Sequence, residues 1–186
     1  GFAAFSDIQK AAARLARERW AAVADIRFVE VDETGGTAGT IRFARTDLSP
    51  TAHAYLPDTA AEGGDIWLGP YFGADASYAP GTYRFATLVH EIGHALGLKH
   101  PHDADGSGVV LNARQDWLGV SVMSYRSFPG DRLAGGYRND LFPSGPMLHD
   151  MLAVQHLYGA DAATASGDTV YVWAVGERIF TTIYDA

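Results

Sequence analysis

Residues 87–103 read TLVHEIGHALGLKHPHD. At about 100° per residue, Phe85, Leu88, Val89, Ile92 and Leu96 fall within one apolar arc, which predicts a helix with that arc buried. His90 and His94, four apart, stack one turn above the other and point away from the arc, toward a cleft or solvent. Glu91 lies on the flank of that pair. Gly97 follows His94 by three, where a helix often ends in a left-handed residue. A chain that turns sharply there brings His100 back to the first two imidazoles. A catalytic zinc takes three protein ligands and keeps a fourth position for water, and neutral imidazole suits it. His90, His94 and His100 fit that count. The bound water has its pKa lowered toward neutrality, and a carboxylate beside the first ligand can take its proton during attack on a carbonyl. Glu91 is the acid so placed. Surface histidines are the plainer reading of a lone His-x-x-x-His pair, but shuffling this composition yields the whole H-E-x-x-H-x-x-G-x-x-H string on the order of 10⁻⁴ of the time or less.

Residues 121–125 read SVMSY. Methionine in a short apolar stretch is usually core packing. The extended histidine motif followed by a methionine turn, however, marks the metzincin metallopeptidases, and Met123 stands where that turn would be. Over nearly its whole length the chain resembles the catalytic domain of the serralysins, the bacterial secreted metzincins. HEIGHALGLKHP matches down to Pro101, SVMSY gives the turn with its tyrosine, and AVQHLYGAD resembles the closing helix. AHAYLP and GGDIWLG look like the family's cleft-edge strand and the strand after it. Two positions depart from the pattern: Ala104 stands where the family usually has tyrosine, and Arg126 where it commonly has tryptophan.

The resemblance implies an α/β (α+β) metzincin fold: a twisted mixed sheet with an edge strand over the cleft, a long active-site helix, and an irregular lower lobe with the Met-turn and the closing helix. It implies a zinc-dependent endopeptidase acting through a zinc-activated water, with His90, His94 and His100 as ligands and Glu91 as general base. Tyr125 would ligate the resting zinc as a fifth group and then donate to the developing oxyanion, and Met123 would form the structural turn. Extended protein or peptide substrate would lie along Ala52, His53, Ala54 and Tyr55, held by backbone pairing. Asp150 matches an acid of the closing helix that bonds to the Met-turn backbone, although compensation of the helix N-terminus explains an early-helix acid equally well. The implied catalytic domain spans 1–160, with an upper lobe over about 1–97 and a lower lobe over about 98–160. Residues 161–186 then form a linker and the start of a C-terminal β domain. Serralysins continue there into a calcium-binding RTX roll of glycine- and aspartate-rich nonapeptides, and no such repeat occurs in this sequence. The resemblance thus brings in Ca²⁺ only through that roll, and it also implies secretion from a bacterium and a proteinaceous inhibitor as a partner.

Composition agrees. The chain has 186 residues, 47% of them hydrophobic, which suits one domain or two close-packed lobes. It has no cysteine, so no disulfide holds the fold. The formal charge of −8 argues against nucleic acid or an anionic membrane surface as partner, and no apolar run reaches membrane-spanning length.

Upstream, SDIQKAAARLARERWAAVA opens with a serine at an N-cap and carries Ile8, Ala12, Leu15 and Trp20 at helical spacing. IRFVEV (26–31) and TIRFAR (40–45) alternate as half-buried strands do, with a turn-rich link between them. After His100 the chain is full of breakers until Met147–Tyr158 returns to helical periodicity. DADGSG has the opening of a calcium loop, but Arg114 replaces the acid required at its twelfth position, which leaves a turn. His53 reads as a polar residue on an exposed strand face, His102 as a loop residue, and His149 and His156 as surface positions. DTVYVWAVGERIFTTIYDA holds two strand-like runs apolar on both faces, which need cover on each side. Two other functions fit parts of the pattern. A non-catalytic zinc-stabilised module would keep the histidines but has little use for Glu91 and Tyr125, and a processing protease dedicated to one partner differs from a broad one in nothing visible here.

Overall fold

A computed structural model describes residues 1–104, 108–133 and 136–186. The calcium-like turn expected at 103–108 falls partly on residues 105–107, outside that range. Helix α1 (Asp7–Ala21) starts at a reciprocal cap: the Ser6 hydroxyl accepts the Gln9 N–H, and the Gln9 side chain accepts the Ser6 N–H. Gln9 is itself buried, donating from Nε2 to the Phe72 carbonyl and the Tyr78 hydroxyl. The inward face of α1 is therefore Gln9, Ala12, Ala13, Ala16 and Trp20, and Ile8, expected among the inward residues, is 47% exposed. Trp20 is fully buried and donates its indole N–H to the Val89 carbonyl over 3.0 Å, which fixes α1 against the next helix.

The sheet has four strands in the order β1-β2-β4-β3, with β1 at Phe2–Ala3, β2 at Phe43–Thr46, β3 at His53–Ala54 and β4 at Ile66–Leu68. The β2–β4 pair is parallel and the other two pairs are antiparallel, so the sheet is mixed as expected. Strand β3 is an edge, with His53 opposite Trp67 and Ala54 opposite Ile66. Residues 26–31, expected as a strand, join no ladder among the described residues. Alternation signals a half-buried segment but supplies no partner, and the flank of β2 pairs at Arg45 and Thr46 with Phe2–Ala3 instead.

Helix α2 (Tyr83–Ala95) is capped by Thr82, whose hydroxyl accepts the Phe85 N–H. Phe85, Leu88, Val89 and Ile92 are fully buried, each stabilising the fold by roughly 1.5–3 kcal/mol. Gly97, at φ +99°, ends the helix; its N–H donates to the His94 carbonyl and the Leu98 N–H to the Gly93 carbonyl, turning the chain back. Loops then lead to helix α3 (Leu148–Tyr158), which docks through buried Met151 and Val154. Tyr158 donates to the Leu96 carbonyl from its last turn. The segment after Asp168 forms no ladder among the described residues: Val170, Val172 and Val175 are at least 79% exposed, while Phe180 and Tyr184 pack on the body. No described helix is long and apolar enough to cross a membrane.

Candidate active site

The turn at Gly97 delivers His100 to the two histidines of α2. His100 Nε2 lies 3.2 Å from His90 Nε2 and 3.1 Å from His94 Nε2. The other nitrogen of each ring faces an oxygen: Nδ1 of His90 lies 2.9 Å from the Val122 carbonyl, that of His94 2.7 Å from the Leu98 carbonyl, and that of His100 2.5 Å from Asp103 Oδ2. A carbonyl or carboxylate oxygen only accepts, so each Nδ1 carries the proton and each Nε2 presents a lone pair. Three lone pairs converging at that range repel one another unless a cation lies between them. Ligands about 2.0–2.1 Å from a tetrahedral zinc stand roughly 3.3 Å apart, so the spacing fits. Burial, assisted by the neighbouring imidazoles, holds His90 well below its ordinary value and His94 down at about 4; burial also lowers His100. All three are neutral near pH 7, as ligands must be.

Glu91 is 5% exposed, and burial pushes its carboxyl up to about 8. Its Oε2 is buried with no hydrogen-bond partner among the described residues. Glu91 and His90 line a cavity of about 300 Å³ with Thr51, Ala52, Val122 and Tyr125 among its other walls. The Tyr125 ring stacks on His90 at 5.6 Å between centroids and tilts against His100 at 4.4 Å. Burial, reinforced by the Glu91 and Asp103 carboxylates, pushes its phenol up to about 12, so it is a donor at neutral pH.

The methionine turn lies directly under the site. Met123 is buried, and the carbonyl of the preceding Val122 is the one that holds His90. Asp150, at the start of α3, is fixed on that turn: its carboxylate accepts from the Ser121 hydroxyl at 2.6 Å, the Val122 N–H at 2.7 Å and the Met147 N–H at 2.8 Å. Burial pushes Asp150 up to about 6 against those donors. Ala52 and Ala54 pack toward the core, whereas His53 stacks across the strands on Trp67 and contacts Tyr55.

Three contributors were missed by sequence reasoning. Asp103 orients His100, and its spacing of three from that ligand was the available signal. His102 is more than a loop residue: its ring stacks on His100 at 5.2 Å and its Nδ1 lies 3.3 Å from buried Asp116. Asp116 also accepts from Arg126 Nε at 3.0 Å and from the Ser124 hydroxyl, so the arginine at the departing position has a buried partner. Of the two histidines on α3, His156 is exposed and His149 half-buried.

Three imidazoles of one tautomer, a buried carboxylate and a methionine turn thus meet in one place, and the imidazoles form a group that could hold a metal ion. The chain belongs to the matrixin family, Peptidase M10, whose model matches residues 4–107. It is similar to serralysin A of Dickeya chrysanthemi, 38% identical over 181 residues that cover 92% of this chain and 37% of that protein. Metalloprotease AprA of Pseudomonas entomophila is 39% identical over 183 residues, covering 91% of this chain and 37% of the relative. A serralysin of Proteus mirabilis is 33% identical over 187 residues, covering 90% and 38%. The chain thus spans little more than a third of the length of these relatives.

Proposed function

We propose that this chain is the catalytic part of a secreted bacterial zinc endopeptidase that hydrolyses peptide bonds in extended segments of proteins. The observation that carries the reading is the buried Glu91, which lines a cavity beside three convergent Nε2 lone pairs and whose Oε2 has no hydrogen-bond partner among the described residues. His90, His94 and His100 would hold the metal. Bound there, zinc supplies Lewis acidity to a water and a carbonyl, and its charge favours the ionised form of Glu91. Glu91 takes the proton of the attacking water and passes it to the departing amine. Tyr125 donates its phenol hydrogen to the oxygen of the attacked carbonyl as charge builds there. Met123 and its turn keep His90 in place through the Val122 carbonyl.

Substrate lies along the open edge of β3, with Ala52, His53, Ala54 and Tyr55 beside it, and pairs through its main chain. Recognition of main chain rather than side chain gives broad cleavage of flexible segments. Residues 1–160 form the catalytic unit and 161–186 a linker and the start of a C-terminal β domain. The test is zinc analysis combined with cleavage of denatured casein before and after chelation. About one zinc per chain, activity lost with the metal and restored by readdition support the proposal, whereas metal-free protein that still cleaves contradicts it.

A further inference from the structure

Ala86, Leu118 and Phe142 form a small apolar cluster separate from the main core, with Tyr83, Tyr137 and Phe180 packed against it. The first five of these residues line the cavity beside Glu91; Phe180 does not. Phe180 therefore packs against the cluster that lines the cavity without lining it itself. The wall is an aromatic stack, with ring centroids of Tyr83, Tyr137 and Phe142 between 5.3 and 5.7 Å apart. Phe180 reaches it from a segment that is loosely held before it, where Val172 and Val175 are almost fully exposed, and tied after it by Tyr184, which packs on the core and donates to the Asp161 carbonyl at 2.6 Å. Its anchors are local. The Ser144 N–H and hydroxyl donate to the Phe180 carbonyl at 2.9 and 3.3 Å, and Arg178 pairs with Asp140 at 2.6 Å. The ion pair is solvent-exposed and adds little, so at Phe180 itself the bonds from Ser144 and the ring carry the attachment.

We propose that Phe180 is a specificity-determining residue: by packing against the apolar cluster of Ala86, Leu118 and Phe142 it holds one wall of the cavity in place and so sets the size of the substrate side chain accepted there. The inference rests on the peptidase reading for the cavity's use as a side-chain pocket. Rings packed on one side and wet on the other can yield outward, whereas rings packed on both sides hold their rotamers. The effect is large in selectivity because a single methylene in an apolar pocket changes discrimination by about 10- to 200-fold.

The test compares the zinc-loaded full chain with Phe180→Ala and Phe180→Leu on peptides that place leucine or tryptophan at each position flanking the scissile bond in turn. At one position the kcat/KM ratio of tryptophan over leucine should rise by at least about five-fold in Phe180→Ala, and by less in Phe180→Leu. Val175→Ala, on the exposed part of the same segment, should leave the ratio unchanged. A uniform fall on both peptides, or an unchanged ratio in both variants, overturns the proposal. Phe180→Leu carries the comparison if the alanine variant does not fold. The same peptides titrated onto Glu91→Gln and Glu91→Gln/Phe180→Leu separate the two readings. A shifted ratio of dissociation constants supports the pocket assignment even if no form of the protein cleaves, which would sink the peptidase reading alone. An unshifted ratio sinks the pocket assignment.

Discussion

Gly93 lies directly against Met123: a Cβ at Gly93 would stand 2.6 Å from Met123 Sδ and 3.0 Å from the Trp20 ring. The helix that carries the histidines thus touches the methionine turn at a position where a methyl group would require the Met123 thioether to move. In an open helix Gly→Ala stabilises by roughly 0.5–1 kcal/mol. Here both neighbours are buried, and overpacking costs about 1–3 kcal/mol, so the sign reverses. Gly93→Ala should lower the stability of the zinc-loaded protein in urea unfolding, because the added methyl group overpacks Met123 and Trp20. A stabilised variant would show that the turn gives way freely.

Asp103 holds the proton-bearing nitrogen of His100. Removing such a partner usually costs 10- to 100-fold in metal affinity. Asp103→Ala should therefore bind zinc about 10- to 100-fold more weakly in competition with a chelating dye, with the metal-free fold intact. Unchanged affinity would mean that the loop geometry alone fixes His100.

Tyr125→Phe should keep zinc and a near-normal KM while kcat falls on the order of 10- to 10³-fold, or roughly 1.4–4 kcal/mol. The proposed contact is made in the transition state and is absent before it, which is why rate suffers more than binding. An unchanged kcat would reduce Tyr125 to packing, and loss of zinc would make the phenol a metal holder.

The metal-free protein has a calculable pH response. The three histidines lie below their ordinary 6.5, so as pH falls under that value the unfolded chain takes up more protons and stability drops. Glu91 has the opposite sign. Its carboxyl is raised from 4.5 to about 8, so its contribution is fully present below 4.5 and is lost as pH rises through about 8. Asp150, raised from 3.8 to about 6, acts in the same sense over a lower window. Urea unfolding of chelated protein should show maximum stability between about pH 6 and 7, and Glu91→Gln should abolish the decline between about pH 7 and 9, below the range where the raised tyrosines titrate. A decline that persists in the variant would place its origin elsewhere.

The site was largely legible because its geometry is local: four-residue spacing, a glycine that can adopt φ +99° and a ligand three residues beyond it place three imidazoles within one short segment. The edge strand and the closing helix were readable from pattern and resemblance for the same reason. What escaped depends on distant partners. Nothing in IRFVEV shows that Phe2–Ala3 occupies the flank of β2, and nothing near His102 announces buried Asp116. Ile8 is displaced from the inward face by Gln9, whose burial depends on the Phe72 carbonyl and the Tyr78 hydroxyl across the molecule.

Replacing Glu91 by its isosteric amide asks whether this carboxylate is the base beside a zinc held by three histidines. Turnover of a peptide substrate should be measured for Glu91→Gln and the parent chain at equal, verified zinc content. About one zinc per chain is expected in both, with a loss of at least ~10²-fold in kcat for the variant. A fully zinc-loaded Glu91→Gln protein that turns over at the parent rate would contradict that role for Glu91.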